Sequence, residues 1–245
     1  MYEPNVAALL ARLQPDDLVL DIGGWACPFN RAQWVLDAEP YETRGFYRTF
    51  GGNAYQGGEK EWFSADTWVR HDICGRAPFP FPDKHFDFVI CSHTLEDIRD
   101  PIGVCAEIVR VGKRGYIEVP SRAFESTHGM EQPNLTGLSH HRWLIEIGEK
   151  RIDFLQKYGL IHDWRYSLPR SYRKRLSEEG AVQWLWWEGD FAFREVGLHG
   201  MAEVEAELSR YVRATCPHPA WKLALDHQRR RASHLARRVR AVAGS

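Results

Sequence analysis

Two acids and two glycines near the start of the chain have the types and spacing to hold a polar ligand. Residues 20–37 read LDIGGWACPFNRAQWVLD. An apolar run over 18–22 contains Asp21 and stops at Gly23 and Gly24; a second run over 34–36 stops at Asp37. Both read as buried parallel strands, short and bounded by turn residues. In open parallel sheets, ligands bind beyond the carboxyl ends of strands, where the strand order reverses. Glycines there let the backbone turn and approach a ligand without a Cβ. Asp21 would hold an ammonium group or orient the loop, and Asp37 would accept both hydrogen bonds of a ribose diol. A plain strand-to-loop turn explains the DIGG stretch equally well when taken alone, but a second acid at this spacing favours the ribose. Asp72-Ile73, after a third apolar run, suits an adenine, the acid taking the exocyclic amine and the apolar side chain packing on the ring. A simple turn acid is the competing view.

Three histidines could move a proton. His93 follows Ser92 just past a fourth apolar run, 86–91; its plain role is packing at a helix start. His140 and His141 follow an irregular stretch and precede Trp143. As neighbours they are expected to point in different directions, so that at most one faces a site. A metal reading finds little support, because no carboxylate pair at a ligand spacing accompanies them.

The elements that must position these groups follow from periodicity. Residues 4–13 carry a short amphipathic helix pattern. Strands are expected over 18–22, 34–37, 67–72, 86–91 and 116–119. A helix is expected over 101–111, with Asp100 as N-cap, Pro101 in the first turn and Gly112 after its end. Later runs at 143–147 and 151–155 suggest one hairpin, and 183–187 with 191–196, around Glu188-Gly189-Asp190, a second. The alternation predicts a mostly parallel sheet with covering helices. The stretch between Asp37 and Asp72 has no clean period and reads as a long loop with a short helix near 60–66. Tyr47, Phe50, Tyr55, Trp62 and Phe63 within it would form an acceptor lid or pack the loop; Trp184, Trp186 and Trp187 read as core and edge packing.

The chain has 245 residues, 44% of them hydrophobic, enough for one large domain with an appendage. Its formal net charge of -1 argues against a general polyanion binder. Five cysteines with no CxxC pair disfavour a disulfide framework or zinc site and fit a reducing cytoplasm. No apolar stretch suits a membrane span, and MYEPNVAALLARL lacks the basic start of a signal peptide. Residues 208–245 hold nine Lys or Arg against the single acid Asp226. Such a basic helical tail could meet nucleic acid, an anionic surface or acidic substrates, though a solvated face is the commoner outcome. Trp221, Leu223, Leu225, Leu235 and Val239 suit docking on the domain or on a homodimer partner.

Residues 79–101, FPFPDKHFDFVICSHTLEDIRDP, carry the most specific signal. Pro80, Phe81, Pro82, Asp83, Phe86, Asp87, Ser92, His93, Leu95 and Glu96 resemble the class I S-adenosylmethionine-dependent methyltransferases, in the branch marked by an LPFPD-x-x-FD turn and a SHxLEH segment. Asp97 stands where that branch usually has His, and Trp25 and Cys27 replace its second and third motif glycines. With DIGG at 21–24, Asp37, HDI at 71–73 and YIEVPS at 116–121, the resemblance covers about residues 17–121. It implies a Rossmann-like fold with a mostly parallel seven-stranded sheet and an antiparallel edge hairpin. A catalytic domain is expected over 1–200, with inserts at 44–66 and 122–142 forming an acceptor pocket, followed by a basic helical extension over 201–245. The resemblance further implies methyl transfer from S-adenosylmethionine to an oxygen or nitrogen of a small-molecule or glycan acceptor. Asp21, Gly23, Gly24, Trp25, Asp37, Asp72, Ile73, Ser92 and His93 would contact the cofactor, with His93, His140 or His141 as the base. Two rivals are a non-catalytic binding protein with Trp25 filling the cradle and an RNA methyltransferase using the basic tail. A nicotinamide enzyme is a distant third, since the eleven residues 23–33 leave no room for a helix to cradle a pyrophosphate.

Overall fold

The computed structural model describes residues 1–47, 56–216, 224–225, 228–229 and 232. The described chain groups into two compact units. The first comprises Met1–Ser121, His140–Gln156 and Glu178–Val196; the second comprises Arg122–Ser139, Lys157–Ser177 and Gly197–Ser245. Both units are discontinuous in sequence.

The first unit is built on a six-stranded sheet. Its strands are β1 (Val19–Ile22), β2 (Trp34–Asp37), β3 (Trp68–Arg70), β4 (Phe88–Ser92), β5 (Arg114–Pro120) and β8 (Val182–Glu188). They lie in the order β3-β2-β1-β4-β5-β8. The first five run parallel, and β8 pairs antiparallel with β5. The order reverses between β1 and β4, and this is where a doubly wound sheet opens a crevice. Asp21 lies level with Val35 on one side and Ile90 on the other.

A seventh strand in this sheet was expected, and the late hairpin was to supply it. Among the described residues the sheet has six. The run after Gly189 forms β9 (Ala192–Glu195), which leaves β8 and pairs in parallel with β7 (Arg151–Gln156). Together with β6 (Trp143–Ile147) these make a separate three-stranded sheet, β6-β7-β9. Burial drives the separation: Phe191 and Phe193 pack with Trp187, Ile145, Ile152 and Phe154 in the main core, so the chain turns inward instead of extending the sheet edge.

One face of the main sheet is covered by α2 (Pro101–Val111) and the small sheet. Helix α2 begins as its sequence dictates, the Asp100 carboxylate accepting the Gly103 N–H at 2.9 Å. Arg110 of α2 donates to the Phe79 and Phe81 carbonyls and to Asp83, which pins the PFPD turn against the helix. Asp87 accepts the Leu18 N–H and pairs with Lys113, tying the starts of β1 and β4 together. These two motifs are structural clamps.

The other face is covered by α1 (Glu3–Arg12), through Val6 and Leu9, and by side chains in place of a crossover helix. Residues 23–33 are too few for that helix, as the sequence predicts. Phe29 fills the space beside Val19, Ala32 and Ile90, while Trp25 packs against Val35, Phe63 and Trp68. The expected short helix near 60–66 is one 3-10 turn, Ala65–Thr67. Phe50 and Tyr55 lie outside the described residues, as do Trp221, Leu223, Leu235 and Val239 of the tail.

The second unit holds α3 (Arg122–Glu125) and α4 (Met201–Thr215). Its core comprises Leu168, Val212 and Cys216. Lys157 and Glu125 form a buried ion pair at 2.7 Å, and Arg122 pairs with Glu207 at 2.8 Å. No helix among the described residues is long and apolar enough to cross a membrane.

Phe29 is 1% exposed, and Phe29→Ala would leave a cavity that no crossover helix can fill. The variant is expected to lose about 3–5 kcal/mol in urea unfolding; a loss below about 1 kcal/mol would show that this face is not packed through Phe29.

Candidate functional site

The carboxyl ends of β1, β2 and β4 bring together most of the residues singled out by sequence. Gly23 has φ +73° and donates its N–H to the Leu36 carbonyl at 2.9 Å, joining the end of β1 to β2. A Cβ there would run into the Thr94 side chain, so only glycine lets the loops after β1 and β4 meet. At Gly24 a Cβ would collide with the Asp21 carboxylate. The two glycines therefore do different work: the first supplies the turn and the second makes room for the acid.

Asp21 is buried and accepts the Phe29 N–H at 2.8 Å. Burial pushes its pKa up to about 7, with the Phe29 hydrogen bond opposing and the Asp37 charge adding to the rise. Asp37 accepts the Trp25 N–H on one carboxylate oxygen and the Glu39 N–H on the other, both at 2.9 Å. Burial raises its pKa as well. Each oxygen of a carboxylate has a second acceptor position, so both can take a further donor.

The Trp25 indole is engaged away from these acids. Its N–H donates to Thr43 Oγ1 at 3.0 Å, and its ring stacks on Phe46 with centroids 5.0 Å apart. The backbone follows: Gly45 and Tyr47 donate to the Trp25 and Ala26 carbonyls. The early half of the insert thus anchors the glycine loop through Trp25. Phe63 is buried, whereas Trp62 is half-exposed and lies under the Arg31 guanidinium.

Asp72 lies beyond the end of β3, which stops at Arg70. It is exposed and holds the Cys74 N–H and Arg99, which lower its pKa. Ile73 packs on the main core. Ser92 Oγ, at the end of β4, is buried and makes no hydrogen bond among the described residues.

His93, a candidate base or a packing residue by sequence, lies between two carboxylates. Its φ of +53° is unusual for a side chain with a Cβ and turns the ring back toward β5. Nε2 lies 3.0 Å from Glu118 and Nδ1 lies 3.4 Å from Glu96, two carboxylates with almost no exposed surface. Desolvation pulls the His93 pKa down, but the hydrogen bonds to Glu118 and then Glu96 win and raise it to about 9. The ring is protonated at neutral pH and cannot accept a proton there. Burial pushes the Glu118 pKa up, yet the hydrogen bonds from His93 and Tyr116 hold it below the usual range. Glu118 also accepts the Tyr2 N–H and the Tyr116 hydroxyl, so it ties α1 to β5 and to the β4 loop. An acid inside the apolar run YIEVP was the available signal for this network, since a buried charge requires a partner.

His140 and His141 were expected to diverge. They converge: their Nε2 atoms lie 3.9 and 3.5 Å from Asp97 Oδ1. Strand alternation does not apply to them, because residues 139–140 form a turn and β6 begins only at Trp143.

The His93–Glu118 pair predicts a pH window. A histidine raised above its unfolded value of 6.5 contributes stability that is complete below that pH and lost as pH rises through about 9. Glu118, held below its unfolded value of 4.5, contributes above that pH and loses the contribution on acidification. NMR titration is expected to show His93 protonated through neutral pH and titrating near 9, with Glu118→Gln shifting that transition downward. Titration of His93 near 6.5 in the unaltered protein would remove the ion pair from this account.

Comparison with known proteins adds to the geometry. Residues 56–117, which span β3, β4, α2 and most of β5, match the family described as "Methyltransferase domain". No curated protein matches the chain. Among solved structures, the chain is similar to a SAM-dependent methyltransferase of Methanosarcina mazei, at 16% identity over 57% of this chain and 85% of that one, with a TM-score of 0.34. A chain of the Haloferax volcanii complex that contains the Trm112 methyltransferase activator has 20% identity over 49% of this chain and 51% of that one, with a TM-score of 0.34. The Bacillus YcgJ protein has 18% identity over 49% and 51%, with a TM-score of 0.31. This chain thus spans about half the length of the latter two. Residues 56–117 are thus similar to a methyltransferase domain, and the sheet they help to build has the mostly parallel, Rossmann-like strand order expected from the sequence.

Proposed function

We propose that this protein transfers a methyl group from S-adenosylmethionine to an oxygen or nitrogen of a small-molecule or glycan acceptor. The observation that carries the reading is the pair of buried acids, Asp21 and Asp37, at the ends of β1 and β2, with Gly23 and Gly24 between them. The fit with the cofactor rests on three features. The cradle has no Cβ at either glycine, Asp37 retains acceptor capacity on both oxygens, and Ser92 Oγ is a buried polar atom in want of a partner.

In this reading Asp37 takes the ribose hydroxyls and Asp72-Ile73 lies toward the adenine. Gly23 and Gly24 let the backbone approach the methionine part, and Asp21 supplies negative charge beneath it. Bound S-adenosylmethionine supplies a methyl on a sulfonium, so reaction requires in-line alignment with the acceptor atom. His93, protonated, orients and donates. His140 and His141 are the groups left to act on an acceptor's proton. The setting we assign is a reducing cytoplasm, where the five cysteines, none of them in a disulfide in this structure, stay as thiols.

Calorimetry with S-adenosylhomocysteine tests the reading. The protein is expected to bind it with micromolar affinity, and Asp37→Asn to weaken binding about 10- to 100-fold, the range for hydrogen bonds to a charged group. No measurable binding by the unaltered protein would refute the assignment. Asp21 adds a second readout. Its raised pKa means that a cationic ligand will favour the carboxylate, so S-adenosylmethionine binding should release protons between about pH 6 and 7. Titration in two buffers of different ionisation enthalpy measures that release; Asp21→Asn should abolish it.

A further inference from the structure

We propose that Asp97, His140 and His141 form a binding site for one divalent first-row transition cation. The donor atoms of the three side chains all lie within 4.8 Å of one another. His141 Nε2 stands 3.5 Å and His140 Nε2 3.9 Å from Asp97 Oδ1. A tetrahedral zinc ion bound at about 2.0–2.2 Å holds its donors roughly 3.3–3.5 Å apart. Small side-chain rotations bring the three into that range. A plain ion pair would need one imidazole, whereas here two rings, with centroids 4.5 Å apart and nearly perpendicular, aim Nε2 at the same carboxylate oxygen.

The backbone holds the donors together. Asp97 sits in a turn closed by its own N–H to the Thr94 carbonyl at 3.1 Å. The segment entering β6 is clipped to that turn: Arg142 N–H donates to the Glu96 carbonyl at 2.7 Å, and Trp143 N–H donates to the same carbonyl at 3.3 Å. The Trp143 indole N–H donates to the Ile98 carbonyl at 2.8 Å. Two segments 43 residues apart, at Asp97 and His140, are thereby fixed in register, and a metal site requires such preorganisation.

The chemistry of the donors selects the ion. Two imidazoles and one carboxylate suit zinc, iron(II), cobalt, nickel or manganese; magnesium and calcium prefer all-oxygen sites. His141 is buried, while Asp97 is 39% and His140 59% exposed, so the site is open on one side. Three protein donors and an open position are the arrangement of a catalytic rather than a structural metal centre. The role follows from the methyltransferase reading and rests on it. An acceptor oxygen in the open position would have its pKa lowered by the cation, so that His140 and His141, as its ligands, would act on the acceptor's proton through the cation and not as bases themselves.

Equilibrium dialysis of the metal-free full chain against ZnCl2, with MgCl2 as the contrast, tests the site directly. One zinc ion per chain is expected, with no magnesium taken up. His140→Ala and Asp97→Asn should each weaken zinc binding at least tenfold. The His140 ring is exposed, so its removal should leave the melting temperature unchanged; a variant that does not fold is replaced by His140→Gln. Less than a stoichiometric amount of zinc, or equal binding by the variants, overturns the proposal. S-adenosylhomocysteine calorimetry on the same preparation separates the two readings. Zinc binding without cofactor binding keeps the site and rejects the methyltransferase role, and the opposite result rejects the site alone.

Discussion

A carboxylate with no exposed surface, Glu118, stands near the end of β5, and the ends of two other elements, with a neighbour on its own strand, are arranged to satisfy it. Removing a charge from water costs several kcal/mol, and the site exists only because that cost is offset by good partners. Tyr2 brings the start of α1, His93 brings the loop after β4, and Tyr116 adds its hydroxyl from two residues earlier on β5. Each is held by the same two oxygens. The left-handed backbone at His93 is the local strain that lets its ring reach Glu118. Once His93 is fixed, the residues after it follow: Thr94 packs on Gly23, Glu96 closes the second side of the imidazole, and Asp97 turns outward.

The second constraint is the missing crossover helix. A parallel pair of strands joined by so short a link exposes one sheet face, and exposed apolar strands are not stable. Large side chains cover it instead. Phe29 fills one half and Trp25 the other, and Trp25 is itself held by residues 43–47. The insert between β2 and β3 is thus part of the fold's cover, and the indole that could have obstructed the cradle is drawn to the β2–β3 side by its hydrogen bond and stacking.

Charge placement at the strand ends is graded by burial. Asp21 and Asp37 are pushed toward neutrality, Asp72 is exposed and paired with Arg99, and His93 is kept protonated. The result is an end of the sheet that can gain from a cationic ligand near Asp21 and donate from His93, with a separate cluster at Asp97 where oxygen and nitrogen donors converge.

The linear sequence by itself determined the local elements. Strand positions, the Asp100 cap of α2, the Gly23–Gly24 turn and the lack of a crossover helix are properties of a few neighbouring residues, and apolar period, cap chemistry and chain length decide them. The PFPD turn was legible for the same reason. Tertiary structure alone decided what depends on residues distant in the chain. That β9 leaves β8 for β7 was set by the burial of Phe191 and Phe193. That the His93 ring pairs with a buried acid was set by Glu118, 25 residues away. That His140 and His141 converge on Asp97 was set by hydrogen bonds from 142–143 to the Glu96 carbonyl. Side-chain period predicts direction only within a regular element; at the ends of strands, direction is set by whichever distant backbone supplies the next hydrogen bond.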